Sequence, residues 1–202
     1  MGYETYAGIL AEDIHSATIA TIAKDGHPQT RIIDMMLWDE NGIYFLTARG
    51  KAFYEQLMEQ KYVSISAAKD KKSVSLRGSI TNIGQDKLEE IFRKNTYMQK
   101  IYPSGTRDVL EVFCIDDAQG EYFDISNPSH IVRDSFTIGN AQAEKFGYYV
   151  GEGCTNCKSC MTVCPQRCII EENHVAVIVQ KQCLHCGACV QACPQNVICK
   201  WR

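Results

Sequence analysis

The stretch that decides this chain's character is CTNCKSCMTVCP at residues 154–165, which is repeated in its spacing by CLHCGACVQACP at residues 183–194. Both read C-x-x-C-x-x-C-x-x-x-C-P, and each cysteine of the first copy has its counterpart 29 residues further on. Eight of the 11 cysteines belong to these two copies. The repeat therefore predicts two equivalent metal-binding loops that are rich in thiolate ligands.

The spacing resembles that of the bacterial ferredoxins, which hold a pair of [4Fe–4S] clusters. Three thiolates at two-residue gaps can fold over three irons of one cluster. The fourth cysteine, which precedes a proline, is carried away from its own loop and reaches the other cluster. The expected ligand sets are therefore crossed: one is Cys154, Cys157, Cys160 and Cys193, and the other is Cys183, Cys186, Cys189 and Cys164.

Two other uses of cysteine compete with this interpretation. Structural zinc sites favour two separated C-x-x-C pairs, whereas here three cysteines follow in succession. Disulfides are typical of secreted proteins, but residues 1–20 have neither the basic segment nor the apolar segment of a secretory signal. Iron–sulfur chemistry is favoured, and oxygen-sensitive clusters with reduced thiols indicate a cytoplasmic protein.

Three cysteines lie outside the expected ligand sets. Cys168 occupies the place where ferredoxin-like sequences carry a small residue packed under the cluster, so it is expected to be a buried apolar side chain rather than a ligand. Cys199 and Cys114 have no partner at metal-ligand spacing. The same interpretation is given to both of them.

Composition narrows the classes of partner. The net charge of the chain is −3. Residues 151–202 together have a net charge of +2, so the remaining residues have a net charge of −5. Neither part is basic enough to indicate a nucleic-acid partner. With 45% hydrophobic residues and no apolar run of membrane length, we expect no membrane partner either. A ferredoxin-like part without strong acidity fits a module whose main partner is attached to it.

The chain before the cysteine copies alternates between strand and helix patterns. The pairs Asp25-Gly26 and Asn41-Gly42 are typical of two-residue hairpin turns. The predicted strands are 16–23, 29–37, 43–47, 62–68 and 73–82, with a last hairpin of 108–116 and 120–126. The predicted helices are 3–13, 51–60 and 86–95. The fold class is therefore mainly β with helices (α+β), an antiparallel barrel followed by a small ferredoxin-like 2[4Fe–4S] domain.

A polar and weakly periodic stretch separates the two parts. It begins with Gly139-Asn140-Ala141-Gln142. We expect the barrel domain to cover residues 1–138, a linker to cover 139–148, and the ferredoxin domain to cover 149–202.

Three segments of the barrel resemble the flavin split-barrel family that is typified by pyridoxamine 5′-phosphate oxidase. They are ATIAT at residues 17–21, DGHPQTRII at 25–33 and IYFLTARGKA at 43–52. The resemblance implies a split β-barrel that binds FMN at the interface of a homodimer. It extends over most of the domain in order and spacing.

The residues themselves agree with a phosphate site. Thr47, Arg49 and Lys51 stand where a predicted strand ends and a helix begins. Backbone N–H groups and the positive end of the helix dipole favour an anion at such a junction. Arg31, on the neighbouring strand, would complete a phosphate clamp. The alternative is that these three cations are ordinary solvated side chains.

The same resemblance implies a place for the flavin ring. It would be lined by the backbone of Ile32 and Ile33 and by residues near Leu46, and Ser73 would reach it from the second subunit. The dimer surface is expected on strand 73–82, where Val74, Leu76 and Ile80 alternate with serines, and on the helix after Gly84. His15 and His27 are candidate acid–base groups, although a histidine in a turn is usually solvated.

A flavin and two clusters in one chain predict an electron relay. The leading hypothesis is a flavin–iron–sulfur oxidoreductase, more specifically a reductase of an unidentified substrate, that uses FMN and two [4Fe–4S] clusters. An external carrier such as ferredoxin is the expected electron source, since the chain has no Gly-rich dinucleotide fingerprint. The alternative is a non-enzymatic electron-transfer or redox-sensing module. A pyridoxamine 5′-phosphate oxidase is disfavoured, because only Arg133 lies near the place where those oxidases clamp the substrate phosphate.

Overall fold

The computed structural model describes residues 2–201, which form two compact units. The first unit comprises residues 2–122 and 135–143, and the second comprises residues 123–134 and 144–201. The segment 123–134 therefore groups with the second unit, although it precedes part of the first. The domain limits at residues 138 and 149 stay a prediction.

The elements from residue 3 to residue 138 make up an antiparallel sheet with short helices. The strands are β1 (Ser16–Ile22), β2 (Pro28–Asp34), β3 (Leu37–Asp39), β4 (Gly42–Ala48), β5 (Tyr62–Lys69), β6 (Lys72–Gly84), β7 (Leu110–Asp124) and β8 (Val132–Ile138). The helices are α1 (Tyr3–Gly8) with a π-helical continuation (Ile9–Ile14), α2 (Ala52–Gln60), α3 (Leu88–Lys94) and α4 (Met98–Ile101). The eight strands form one sheet in the order β2-β1-β5-β6-β7-β4-β3, with β8 paired to β7. The mainly β fold class is confirmed.

Alternation of apolar and polar residues places the core on one face of each strand. In β5, Val63 and Ile65 are buried while their neighbours are exposed, and β6 pairs with β5 in the same phase. Aromatic rings close this core, since Tyr6 of α1 stacks at 5.1 Å on Tyr122 and at 5.0 Å on Phe136. A second cluster is formed by the predicted inward face of α3, and its members from that helix are Leu88, Ile91 and Phe92.

The predicted hairpin of 108–116 and 120–126 is wrong. The chain instead continues as the single 15-residue strand β7. Gly120, the first residue of the second predicted strand, is needed for packing: a Cβ at this position would lie 2.3 Å from the ring of Phe136. Asp116 and Asp117 stay within the strand, and a Cβ on Gly78 would lie 2.2 Å from the Asp117 carbonyl oxygen. These residues mark close approaches between elements and not a reversal of the chain.

The predicted strand 29–37 is also divided in two. Met35 and Met36 are consecutive and both buried, which breaks the alternation of a strand with one exposed face. The N–H of Met35 donates to the His15 carbonyl oxygen at 2.7 Å, whereas that of Met36 donates to Tyr44 at 2.8 Å. The chain therefore pairs with β1 along β2 and then, after Met35 and Met36, pairs with β4 along β3.

The second unit is small and internally repeated. From Tyr148 onward its elements are β9 (Tyr148–Val150), α5 (Ser159–Thr162), β10 (Ile169–Glu172), β11 (Val175–Ile178), a 3₁₀ turn (Gln180–Gln182), α6 (Ala188–Gln191) and β12 (Ile198–Lys200). β9 pairs with β12, and β10 pairs with β11, both antiparallel. Its core consists largely of cysteine and aliphatic side chains. Across residues 2–201 no helix is both long and apolar enough to cross a membrane.

Candidate functional site

The first cysteine cavity lies in the second unit and has a volume of about 330 Å³. The cysteines that line it are Cys154, Cys157, Cys160 and Cys193. Three of them come from the first copy of the spacing and one from the second. This is the group that the crossed arrangement requires for one cluster.

The second cysteine cavity is of similar size, about 340 Å³. The cysteines on its wall are Cys183, Cys186, Cys189, Cys164 and Cys168. Four of them form the second expected ligand set, and Cys168 is an additional thiol. The structure thus brings together each set of four cysteines that the spacing predicts.

The two cysteine loops share an unusual backbone. Asn156 and Lys158, on either side of the second cysteine, have φ values of 52° and 65°. Their counterparts in the second copy, His185 and Gly187, have φ values of 56° and 77°. Such left-handed residues within a turn direct backbone N–H groups towards a common anion, as in many iron–sulfur sites. The repeat is therefore conserved between the two halves in backbone conformation as well as in cysteine spacing.

The thiols of the loops differ in their protonation. Hydrogen bonds from the backbone and hydroxyl of Ser159 lower the pKa of Cys157, which favours a thiolate. Burial raises the pKa of Cys160 and of Cys189 in the second loop. The sulfur of Cys183 accepts the N–H of His185 at 3.4 Å. The second loop therefore places an N–H donor against a cysteine sulfur, and the buried thiols would have to give up their protons if they bound a metal.

The three cysteines outside the predicted ligand sets differ in their burial. Cys168 and Cys114 are buried, with 2% and 4% of their surface exposed, which agrees with a packing role. Cys199 is exposed on β12, so its expected burial is wrong. A strand of three residues has one outward position at its centre, and Cys199 occupies it.

In the first unit, Arg31 is fixed beside the beginning of α2. Its guanidinium donates to the Thr21 hydroxyl at 2.6 Å and to the side-chain carbonyl of Gln56 at 3.1 Å. It also donates to Gln29 at 3.2 Å and lies 4.4 Å from the centre of the Phe53 ring. Partial burial lowers the pKa of Arg31, which still leaves it charged. The structure thus orients this cation near a helix N-terminus.

The other predicted phosphate residues are arranged differently from one another. Lys51 is exposed and extended immediately before α2, and it makes no side-chain cap. Thr47 is 2% exposed, and its hydroxyl is buried without a hydrogen-bond partner. Arg49 forms an ion pair with Glu111 at 3.1 Å. Sequence reasoning did not identify Glu111, because it belongs to β7 and is brought to Arg49 only by sheet pairing.

A broad cavity that is open to solvent lies along α2. It has a volume of about 740 Å³, and its charged lining residues are Lys24, Asp25, Glu55 and Glu59. Three carboxylates against one ammonium group make this part of the surface unfavourable for phosphate. Gln29 and Gln56, which both accept hydrogen bonds from Arg31, also line it, so Arg31 lies next to this acidic surface.

The predicted ring residues lie on the sheet. Ile32 is strongly exposed, at 66%, whereas its neighbour Ile33 packs on the core. The side chain of Leu46 is buried in the second core cluster. Ser73 is partly exposed on β6, opposite Ala68. Ile32 thus presents one exposed apolar side chain on the edge strand of the sheet.

A hydrogen-bonded acid–base group lies at the end of β2. His15, whose φ of 68° is unusual for a residue with a side chain, contacts the Tyr97 hydroxyl at 3.0 Å. Tyr97 donates to Asp34 at 2.6 Å, and Ser16 donates to the other oxygen of Asp34 at 2.6 Å. Burial acts to raise the pKa of Asp34, but these hydrogen bonds and His15 lower it overall. The Tyr97 hydroxyl thus links the histidine to the carboxylate, whereas His27 is exposed.

The fold and the paired cysteine cavities define a class of redox protein in which a β-barrel domain is joined to an iron–sulfur domain. The sequence model of the pyridoxamine 5′-phosphate oxidase family matches residues 7–118, just over half of the chain, so the chain belongs to that family. The model of the 4Fe-4S dicluster domain matches residues 147–194. The chain is therefore a split barrel of this family fused to a 4Fe–4S dicluster domain, a combination that indicates electron transfer.

Solved structures agree on the fold of the barrel. A NimC/NimA family protein from Clostridium acetobutylicum aligns with a TM-score of 0.56 and 16% identity, over 66% of this chain and 92% of that one. A protein from the same organism related to general stress protein 26 of B. subtilis, of the pyridoxinephosphate oxidase family, aligns with a TM-score of 0.52 and 16% identity, over 66% and 93%. The comparison with curated proteins gives no match. At these identities the likeness concerns the fold alone.

Proposed function

We propose that this protein is a flavin–iron–sulfur oxidoreductase that passes electrons between FMN on the barrel and two [4Fe–4S] clusters in the second unit. The observation that carries the proposal is the pair of cavities, each surrounded by four cysteines drawn from both copies of the spacing. When bound, FMN exchanges electrons in pairs or singly, and the clusters move single electrons. Covalent linkage of the two parts gives a high effective concentration of one for the other.

The cysteine residues have the chemistry that two cubane clusters need. In this proposal the four thiolates of one cluster come from Cys154, Cys157, Cys160 and Cys193, and those of the other from Cys183, Cys186, Cys189 and Cys164. Backbone N–H groups, such as that of His185 on Cys183, would stabilise the negative charge of the ligand sulfurs. Because each set contains one cysteine from the other loop, neither half can complete a site alone.

For FMN, the phosphate would be held at the beginning of α2. Arg31 is already oriented there by Thr21 and Gln56, and Lys51 is free to turn towards an anion. The buried, unpartnered hydroxyl of Thr47 fits a site that lacks its polar ligand. Arg49 would contribute through the local field, since Glu111 occupies its guanidinium.

The flavin ring would lie along the edge strand β2. The exposed Ile32 and the backbone of Ile33 offer an apolar surface there, and Leu46 would contribute only through its backbone because its side chain is buried. This surface would leave one face of the ring in water in a single barrel. A second subunit, to which we assign Ser73, would cover it and make the protein a homodimer.

The dimer surface would include the outward side of β5 and β6. We name the exposed serines on these strands the hydroxyl face: Ser64, Ser66, Ser75 and Ser79. The alternating residues Val74, Leu76 and Ile80 are buried in the core of their own barrel, which excludes them from the interface. Besides these small hydroxyl side chains, the same sheet face carries Tyr62 and Arg77, which another chain would also contact.

The direction and partners of electron flow are assigned as part of the same proposal. We assign the role of a reductase, with electrons arriving at the clusters from a ferredoxin-type carrier and leaving through FMN to a small organic substrate. A reducing cytoplasm suits the free thiols. The substrate would meet the barrel near β2, beside the hydrogen-bonded group formed by His15, Tyr97 and Asp34.

The cofactor content of anaerobically purified protein tests this function. We expect about eight irons, about eight labile sulfides and about one FMN per chain. Cys164→Ser should damage the cluster whose other ligands come from the second loop, and Cys193→Ser the cluster of the first loop. Zinc without labile sulfide would contradict the cluster assignment. Full iron without any FMN would leave only a non-enzymatic electron-transfer module.

A further inference from the structure

The two halves of the iron–sulfur unit differ in one thiol beside the clusters. Four residues after the last cysteine of each copy, the first half has Cys168 and the second has Val197, again 29 residues apart. Each of them lines the cavity that contains that last cysteine, Cys164 in one half and Cys193 in the other. The repeat therefore provides a pair of matched positions of which one carries a thiol, although other lining residues, such as Thr155 and its counterpart Leu184, also differ.

Cys168 is held firmly against Cys164. The two sulfur atoms are 3.5 Å apart, within hydrogen-bond distance for sulfur, and both residues are free thiols. Only 2% of the surface of Cys168 is exposed. Its carbonyl oxygen accepts the N–H of Val179 at 2.8 Å, which fixes the backbone at the beginning of β10. Solvent therefore does not compete for the contact between the sulfurs.

If a cluster occupied this cavity, the hydrogen bond between the two cysteines could run only from Cys168 to Cys164. A cubane has four irons, and Cys164, Cys183, Cys186 and Cys189 already supply four thiolates, so Cys168 is surplus as a ligand. An iron-bound thiolate carries no proton, so Cys164 can only accept. The donor must then be the S–H group of Cys168, although a thiol is a weak donor.

We propose that Cys168 is a positioning residue that donates a hydrogen bond to the ligand sulfur of Cys164 and thereby raises the reduction potential of the cluster held by that cavity. Reduction adds one negative charge to a cluster. A donor directed at a ligand sulfur stabilises that charge, and such hydrogen bonds are a main control of cluster potentials. The proposal rests on the proposed function, because it requires Cys164 to be a cluster ligand.

The consequence is that the two clusters are not equivalent. Val197 offers no donor to Cys193, so the corresponding hydrogen bond is missing in the other half. Cys168 thus makes the cluster of the second cavity easier to reduce, so that an electron is found there more often than on the other cluster. The position is occupied by a donor in one half and by an aliphatic side chain of similar size in the other.

The test is an EPR-monitored redox titration of the full-length, anaerobically loaded protein with matched substitutions in the two halves. Cys168→Val should lower the potential of one cluster, and Val197→Cys should raise the potential of the other. A single hydrogen bond should change the ratio of reduced to oxidised cluster by about threefold to tenfold at fixed potential, and tenfold is about 59 mV for one electron. Cys168→Ser retains a donor and should restore most of the wild-type value.

Iron and sulfide counts separate the possible failures. If the wild-type chain binds no clusters, the proposed function fails before this inference is reached. If Cys168→Val keeps full iron and sulfide but leaves both potentials unchanged, the hydrogen bond has no influence and the inference is overturned. If Cys168→Val loses a cluster, the test depends on Val197→Cys. A fully loaded Val197→Cys variant in which no cluster potential rises also overturns the inference.

Discussion

Replacing Arg31 by alanine tests the phosphate site most sharply. In the structure its guanidinium donates to Thr21 at 2.6 Å and to Gln56 at 3.1 Å, beside the beginning of α2. Removing one charged contact to phosphate should cost about 1.5–3 kcal/mol, which weakens FMN binding by about tenfold to a hundredfold. Flavin-free protein titrated with FMN, followed by quenching of flavin fluorescence, measures the dissociation constant directly.

A matched control separates phosphate binding from stability. Thr21→Val breaks the same network, since the Thr21 hydroxyl both accepts from Arg31 and donates to Gln56 at 2.6 Å, but it keeps the charge. Each lost hydrogen bond should cost about 0.5–1.5 kcal/mol of stability, so both variants should melt at lower temperature. Only Arg31→Ala should lose FMN affinity by tenfold or more. If both variants bind FMN as tightly as the wild-type protein does, the phosphate lies elsewhere and the role assigned to Arg31 is wrong.

Three further predictions concern the barrel. Hydrogen bonds from Asn82 and Tyr54 lower the pKa of Glu111, so its stabilising contribution should be present above about pH 4.3 and disappear as the pH falls through the lowered value. Denaturant titrations should therefore show a loss for Glu111→Gln at pH 7 that shrinks in acid, and a pH-independent difference would argue against an ionised Glu111. Gly120→Ala would place a carbon 2.3 Å from an aromatic ring of β8 and should cost about 1–3 kcal/mol, whereas Gly50→Ala, with no heavy atom within 4 Å, should be nearly neutral. Light scattering should give the mass of a dimer, and a monomer that retains FMN would rule out a ring site completed by a second subunit.

The grouping of the cysteines was the most predictable part of the molecule. Three members of each set are close in sequence and the fourth comes from the other copy, as the resemblance to the bacterial ferredoxins implies, and each set of four lines one cavity in the structure. The contact between Cys168 and Cys164 was less visible. Aligning the two copies at their 29-residue offset places Cys168 opposite Val197, which is a signal that could have revealed it.

The barrel was predictable where alternation was regular and not where packing replaced it. Strands β5 and β6 follow the period of two, but the predicted turn between residues 116 and 120 is absent, and sequence patterns do not reveal that an aromatic ring occupies the space beside Gly120. The interruption at Met35 arises from an exchange of strand partners, which is a long-range event. Strand β8 was missed because only two of its seven residues are buried, and helix α4 was missed because it has four residues of which one is buried.

The same limit applies to the flavin site. Lys51 could be chosen from its place before a predicted helix, since a helix N-terminus favours anions, and Arg31 from its place on the neighbouring predicted strand. The pairing of Arg49 with Glu111 depends on the register of β4 against β7, in which Thr47 stands opposite Glu111. No local pattern encodes that register. Spacing in the sequence alone therefore does not reveal residues that act through cross-strand contacts.

We propose that electrons pass between the flavin and the clusters of one molecule. Flash photoreduction of the flavin in anaerobic holoprotein, followed by the absorbance of flavin and clusters, measures this transfer. If the transfer is intramolecular, the flavin is reoxidised as the clusters bleach, at a rate that does not depend on protein concentration. A rate that rises in proportion to concentration, or a reduced flavin that persists beside oxidised clusters, would rule the transfer out.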